Sequence, residues 1–117
     1  MSKTLFIILP VYNEEPFLSA TLESLAHLPE MGAAPRFITV DDGSLDGSLS
    51  TLQGWAKADR GQRHLIPLGK HLGVGAALHA GFRAALQASR KGDLATVLEA
   101  DGSCDASPLA PMIQNLE

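Results

Sequence analysis

Short, mostly apolar runs alternate along the chain with longer segments in which apolar residues recur every three or four positions. The short runs cover residues 5–9, 36–40, 64–68 and 94–98. Runs of this length are typical of strands, and the first lacks the polar alternation of a strand that faces water on one side. The longer segments are typical of helices that pack one apolar stripe against a sheet. The pattern predicts an α/β fold with three layers, α/β/α, and a mostly parallel sheet of about four strands.

Prolines and glycines mark where these elements begin and end. Pro10 has no N–H for a sheet ladder, so the first strand is predicted to end there. Pro16 suits the first turn of the following helix, and Pro67 indicates that the third strand lies at a sheet edge. Residues 69–75 are rich in glycine and precede the longest helical stripe, whose small residues, such as Gly81, let that helix lie close to the sheet.

Polar turns follow three of the four predicted strands. They are residues 12–15 (Tyr-Asn-Glu-Glu), the pair Asp41 and Asp42, and residues 99–101 (Glu-Ala-Asp). Because the carboxyl ends of parallel strands meet at one edge of a sheet, the three turns are predicted to converge on one crevice. Concentrated negative charge there requires a cation, a ligand that donates hydrogen bonds, or both.

Each acidic turn has a structural interpretation beside the functional one. Residues 41–44 (Asp-Asp-Gly-Ser) are typical of a turn with a helix cap, which Ser44 or Asp46 can supply. The second aspartate leaves one carboxylate free to accept hydrogens from a base or a ribose. Glu99 and Asp101 face the same side if their strand continues, and two carboxylates suit Mg²⁺ or Mn²⁺. Taken alone, however, the pair is more often a solvated strand end than a metal site.

The remaining polar candidates carry weaker signals. Tyr12 either packs at the strand end or stacks on a base. The glycine-rich loop leads into a helix N-terminus, which favours anions, but it matches neither dinucleotide-binding nor P-loop spacing. His71 within it is interpreted as an ordinary polar loop residue, and Cys104 has no evident base partner.

Composition narrows the class of protein. The 117 residues, 45% hydrophobic and 19% charged, suit a single globular domain spanning residues 1–117. A net charge of −4 gives no basic surface for nucleic acid. No apolar run reaches the roughly 18 residues of a membrane span. The single cysteine rules out an internal disulfide and fits a reducing compartment, so a cytoplasmic location is expected.

Four segments, in this order and spacing, resemble the inverting family 2 glycosyltransferases of the GT-A fold, including dolichyl-phosphate-mannose-synthase-like enzymes. The segments are residues 10–15, 40–48, 71–77 with Gly81, and 99–102. The resemblance implies a nucleoside-diphosphate-sugar donor and a divalent metal, Mg²⁺ or Mn²⁺. It implies that Tyr12 lies against the base and that Asp101, together with Glu99, holds the metal. The donor-binding residues that it implies are Pro10, Tyr12, Glu14, Val40, Asp41, Asp42, Glu99, Ala100 and Asp101.

Two residues depart from the family pattern, and one region is missing. Glu99 replaces the usual first aspartate of the DxD metal motif, and His71 stands where asparagine is typical. The family's acceptor half, with its catalytic base, normally follows the DxD strand, and no residue here matches that base. We therefore expect the donor-binding half of an enzyme, truncated after this strand and incomplete for catalysis alone. The sequence leaves three classes of acceptor open: a lipid phosphate, a polysaccharide or a protein. The expected cytoplasmic location extends to the inner face of a membrane.

Two other classes remain as alternatives. The chain could be a non-catalytic α/β module that keeps the fold and binds a partner or forms a homo-oligomer through an uncovered fourth strand. A response-regulator-like domain also holds paired acids at a strand end. Here, however, the pair follows the second strand and not the first, and the lysine expected at the end of a fifth strand is absent. A dinucleotide-binding enzyme is disfavoured because the first turn has Tyr12, Asn13 and Glu14 instead of glycines.

Overall fold

A computed structural model of the chain describes residues 3–26, 33–59, 61–98 and 114–115. Strands and helices alternate along it, as the hydrophobic pattern predicts. The elements are β1 Lys3–Val11, α1 Glu15–Ala26, β2 Ala33–Asp41, α2 Ser48–Ala58, β3 Arg63–Pro67, α3 Val74–Ala88, β4 Leu94–Val97 and β5 Gln114–Asn115.

The strands form one sheet in the order β3-β2-β1-β4-β5. Strands β1 to β4 are parallel, and the two residues of β5 run antiparallel to β4. The predicted mostly parallel sheet and the edge position of the strand that contains Pro67 are both confirmed. The outer edge of β4 is covered by β5 at Leu94 and Ala95, so the fourth strand is less exposed than expected.

Helices cover both faces of the sheet, which gives the predicted three layers. Alternate residues of β1 point to opposite faces: Ile7 packs with leucines of α1 and α2, whereas Ile8 packs with alanines of α3. Full burial of one such leucine or isoleucine contributes about 1.5–3 kcal/mol. None of the described helices has the length and apolar character that a bilayer crossing requires.

The small residues of α3 bring it close to the sheet. Gly81 is buried, and a Cβ atom on it would lie 2.5 Å from Cγ2 of Ile8 and 3.5 Å from Cγ2 of Val40. A larger residue there would require the Ile8 side chain or the helix to move. Since α3 begins directly after the glycine-rich loop, this close packing also fixes where the loop lies relative to the ends of β1 and β2.

The prediction that β1 ends at Pro10 is wrong, since the strand runs on to Val11. The carbonyl of Ile8 accepts the N–H of Leu98 from the β4 side, whereas the carbonyl of Val11 accepts the N–H of Asp42 from the β2 side. By the same alternation, the nitrogen of Pro10 faces the β4 side. The β1–β4 register is described only up to Ile8, so the proline interrupts no described ladder bond.

Candidate functional site

The carboxyl ends of three strands lie side by side at one rim of the sheet. Val11 at the end of β1 pairs with Asp41 at the end of β2, which in turn pairs with Pro67 at the end of β3. The segments that leave these ends, residues 12–15, 42–47 and 68–73, therefore meet at this edge, called here the carboxyl rim. Three of the nine predicted site residues lie in these segments, namely Tyr12, Glu14 and Asp42. Three more, Pro10, Val40 and Asp41, lie in the last two residues of β1 and β2.

The adjacent acids Asp41 and Asp42 are both buried, with 2% and 3% of their surfaces exposed, yet they bond to different segments. Oδ2 of Asp41 accepts the N–H of Ser44 at 3.2 Å, which closes the turn locally. Oδ1 of Asp41 is buried and has no hydrogen-bond partner among the described residues. Burying a carboxylate oxygen without a partner is costly, so this atom has hydrogen-bonding capacity that the described fold does not use.

Asp42 connects the end of β2 to the glycine-rich loop. Its Oδ1 accepts the N–H of Leu72 at 2.7 Å, and its Oδ2 accepts the N–H of Gly73 at 3.0 Å. Gly73 directly precedes α3, where free N–H groups and the helix dipole favour a negative charge. The carboxylate thus fixes the loop at the start of the helix.

His71 completes this cluster. Its Nδ1 lies 3.0 Å from Oδ2 of Asp42 and 3.3 Å from the carbonyl oxygen of Asp42. Both atoms accept hydrogen bonds, so Nδ1 carries the proton in this contact. The imidazole also stacks on the ring of Tyr12, with 3.9 Å between ring centroids and 23° between ring planes. The predicted site residues Tyr12 and Asp42 are therefore joined through a third residue, which is not an ordinary polar loop residue as interpreted.

The turn after β1 is held against the turn after β2 by Asn13. Its φ of 50° is the left-handed conformation that asparagine tolerates better than most residues. Its N–H donates to Oγ of Ser44 at 3.0 Å, and its side-chain Oδ1 accepts the N–H of Leu45 at 2.7 Å. Ser44, one of the two predicted helix caps, therefore serves the neighbouring turn and not the following helix.

The other predicted cap, Asp46, serves two helices. Its Oδ1 accepts the N–H of Ser48 at the start of α2, at 2.9 Å, and its Oδ2 accepts the N–H of Glu15 at the start of α1, at 3.2 Å. The side-chain hydrogen bond with Ser48, followed by backbone bonds from Ser48 and Glu15, holds the pKa of Asp46 below its ordinary value despite partial desolvation. Glu15 returns the contact by accepting the N–H of Gly47 at 3.0 Å.

The other predicted donor-binding residues differ in their access to this rim. Pro10 and Glu14 are half-buried, and the N–H of Glu14 donates to Oγ of Ser48 at 3.0 Å. Val40 has no exposed surface and packs in the core beneath α3, so its side chain does not reach the surface of the rim.

The predicted metal ligands Glu99 and Asp101, with Ala100 between them, lie outside the described residues. The N–H of Leu98 donates to Ile8 at 3.0 Å, so the described chain runs beside β1 up to the residue before Glu99. Within the described part of the chain, no three His, Cys, Asp or Glu side chains form a group that could hold a metal ion. The metal site stays a prediction that depends on residues 99–101.

Comparison with known proteins places this rim in context. A model of the family described as glycosyl transferase family 2 matches residues 6–117, nearly the whole chain. The chain belongs to glycosyltransferase family 2. The resemblance read from the four sequence segments is thereby confirmed.

Two relatives within the family carry the same descriptive name, undecaprenyl-phosphate 4-deoxy-4-formamido-L-arabinose transferase. The protein of Pseudomonas aeruginosa is 38% identical over 96 residues, which are 81% of this chain and 27% of the relative. The protein of Aeromonas hydrophila is 35% identical over 100 residues, which are 85% of this chain and 29% of the relative. The family 2 chain thus spans between a quarter and a third of the length of these relatives.

Solved structures of glycosyltransferases share the fold. A mannosyltransferase from Pyrobaculum calidifontis, in complex with GDP-Man and Mn²⁺, matches 83% of this chain with a TM-score of 0.68 and 23% identity. The match covers 27% of that mannosyltransferase. TarS of S. aureus in complex with UDP matches 84% of this chain and 27% of TarS, with a TM-score of 0.68 and 20% identity. At these identities the likeness shows the fold, which is of the GT-A type.

Proposed function

We propose that the carboxyl rim binds the nucleoside diphosphate of a sugar donor, as the donor-binding part of a family 2 glycosyltransferase. The observation that carries this proposal is the joining of Tyr12 and Asp42 through His71, across about thirty residues of sequence. An aromatic ring beside a buried carboxylate offers what a nucleobase requires, namely a stacking surface and an acceptor for a ring N–H.

The roles of the other residues follow from their positions. Oδ1 of Asp41, buried and unpartnered among the described residues, would accept a ribose hydroxyl. Pro10 and Glu14 would line the pocket beside Tyr12, and Val40 would contribute only its backbone. Asn13, Ser44 and Asp46 would hold the two turns in register and would not contact the donor.

We propose that Glu99 and Asp101 hold a divalent ion, Mg²⁺ or Mn²⁺, beside this pocket. Support comes from the direction of β4, which leads to the carboxyl rim beside β1, and from the Mn²⁺ in the fold-related mannosyltransferase. Two carboxylates are hard oxygen ligands of the kind that both ions prefer. The bound ion would neutralise negative charge on the departing nucleoside diphosphate.

We propose a lipid phosphate as the acceptor of the whole enzyme and the inner face of a membrane as its location. Support comes from the names of the relatives, which specify undecaprenyl phosphate. Acceptor binding and the catalytic base belong to a part of the enzyme that this chain does not match in its relatives.

Isothermal titration calorimetry with UDP and with GDP, each with and without MnCl₂, tests donor binding. We expect one nucleotide to bind and Tyr12→Leu to weaken its affinity at least about fivefold, since stacking of one base on an aromatic side chain contributes about 1–3 kcal/mol. Phe17→Leu is a matched control, because Phe17 is an aromatic residue of α1 with 48% of its surface exposed. Absence of binding for both nucleotides, with and without metal, would overturn the proposal.

A further inference from the structure

We propose that His71 is a built-in competitor of the nucleobase: its ring occupies the Tyr12 surface and the Asp42 carboxylate, and it must swing out before a base can bind. This inference rests on the proposed donor site and adds a control element to it.

The imidazole reproduces both contacts that a base would make. It is a flat ring stacked on Tyr12 at 3.9 Å between centroids. It also donates a ring N–H to Oδ2 of Asp42 at 3.0 Å. A base on this face of Tyr12 would occupy the volume of the imidazole, so the two rings exclude each other there.

Burial of Asp42 leaves little room for it to serve both rings. Its carboxylate already accepts the N–H groups of Leu72 and Gly73 in addition to His71. Only 3% of the residue is exposed, so a further donor has little surface of Asp42 to approach while the imidazole is in place. Release of His71 would free one acceptor site on Oδ2 while the two backbone bonds remain.

The surroundings allow the side chain to move without the loop. The backbone of Lys70 and His71 packs directly against Gly43, where an added Cβ would overlap the carbonyl carbon of Lys70 and the nitrogen of His71. The bonds from Leu72 and Gly73 to Asp42 hold the other side of the loop. The His71 side chain itself is 52% exposed, so rotation about its Cα–Cβ bond can carry the ring into solvent.

Removal of the imidazole is therefore expected to tighten nucleotide binding. The base would no longer displace a stacked ring and a hydrogen bond at an exposed site, which together correspond to about a three- to tenfold change in affinity. If His71 instead stacked on the bound base and supported it, removal of the imidazole would weaken nucleotide binding.

The test combines calorimetry with a spectroscopic signal from the stack. Tyr12 is the only tyrosine of the chain, so 3-fluorotyrosine labelling places one ¹⁹F nucleus in the contact. We expect His71→Ala and His71→Asn to shift the ¹⁹F resonance without nucleotide and to bind UDP or GDP about three- to tenfold more tightly than the wild type. His79→Ala, on an exposed histidine of α3, is the matched control and should change neither.

The outcomes separate this inference from the proposed function. If the wild type binds nucleotide and both His71 variants bind equally or more weakly, the competitor role is overturned and the donor site stands. If an unchanged ¹⁹F resonance shows that no stack was lost, the competitor role is likewise overturned. If no protein binds either nucleotide, the proposed donor site fails, and the competitor role fails with it.

Discussion

Two buried aspartates at opposite rims of the sheet each accept two backbone N–H groups, but they differ in what else surrounds them. At the amino-terminal rim, Asp93 accepts the N–H of Thr4 with Oδ1 at 2.9 Å and the N–H of Arg90 with Oδ2 at 2.8 Å. At the carboxyl rim, Asp42 accepts the N–H groups of Leu72 and Gly73. Each carboxylate thus ties a loop to the end of a strand.

The difference lies in what else each rim presents. Asp93 is 5% exposed, and its two described side-chain hydrogen bonds go to backbone groups of the fold itself. Asp42 bonds in addition to a half-exposed imidazole that stacks on Tyr12, and the adjacent Asp41 has a buried oxygen with no partner among the described residues. A carboxylate that ties a loop to a strand end is called here a staple, and this role alone explains Asp93. The carboxyl rim has in addition a stacking surface and hydrogen-bond acceptors beyond what its fold requires.

The largest expected effect distinguishes the two staples directly. Asp93→Ala removes two charged hydrogen bonds, which are partly buried and link the start of β1 to the loop before β4, so we expect the free energy of unfolding to fall by about 2–4 kcal/mol. Nucleotide affinity of the folded protein should be unchanged. Asp42→Ala should lower the free energy of unfolding by a similar amount and also weaken nucleotide binding about tenfold or more.

Urea denaturation measures the free energy of unfolding. Calorimetry without urea, at a temperature at which both variants are folded, measures nucleotide affinity. Glu23→Ala, on the exposed face of α1, is the control for loss of a carboxylate that ties no loop to a strand among the described residues. A nucleotide affinity that falls equally in both aspartate variants would break the distinction between the rims.

The sequence predicts the fold more completely than the site. The short apolar runs predict the sheet because strands buried on both faces must be apolar along their whole length. The end of β1 is misjudged because a proline interrupts a strand only if its nitrogen faces a hydrogen-bonded neighbour, and that depends on which strand lies on which side.

At the rim, sequence reasoning reaches Tyr12, Asp41 and Asp42 but not the role of His71. The acids stand directly after strands, so alternation and sheet topology limit where they can lie. The loop that contains His71 reaches the end of β2 only because β3 pairs beside β2, and the choice of Tyr12 as its stacking partner has no local signal. The position of His71 in a loop before a helix, two residues before Gly73, is the one feature that could have raised its priority.

A smaller effect is expected at Asp41. Asp41→Asn can keep the bond from Ser44 through its amide oxygen and places an NH₂ group where Oδ1 has no described partner. We expect the free energy of unfolding to change by less than about 1 kcal/mol. Affinity should fall about three- to tenfold, because a donor replaces the acceptor proposed for a ribose hydroxyl. Comparison of a nucleoside diphosphate with its 2′-deoxy form in calorimetry identifies the hydroxyl, and a loss of stability without loss of affinity would contradict this role.

The smallest effect is the pH dependence of the amino-terminal staple. Backbone hydrogen bonds from Arg90 and then from Thr4, opposed by burial and aided by the charges of Arg90 and Arg36, lower the pKa of Asp93. A lowered pKa in the folded state means that the unfolded chain binds the proton more readily, so the stabilisation is present above the unfolded pKa of about 3.9 and is lost as the pH falls below it. Asp93→Asn should therefore give a flatter dependence of the urea midpoint on pH below about pH 4 than the wild type. Gln53→Ala, on an exposed residue of α2, removes no titratable group and should keep the slope of the wild type. A slope for Asp93→Asn equal to that of the wild type would contradict the contribution of the amino-terminal rim to this pH dependence.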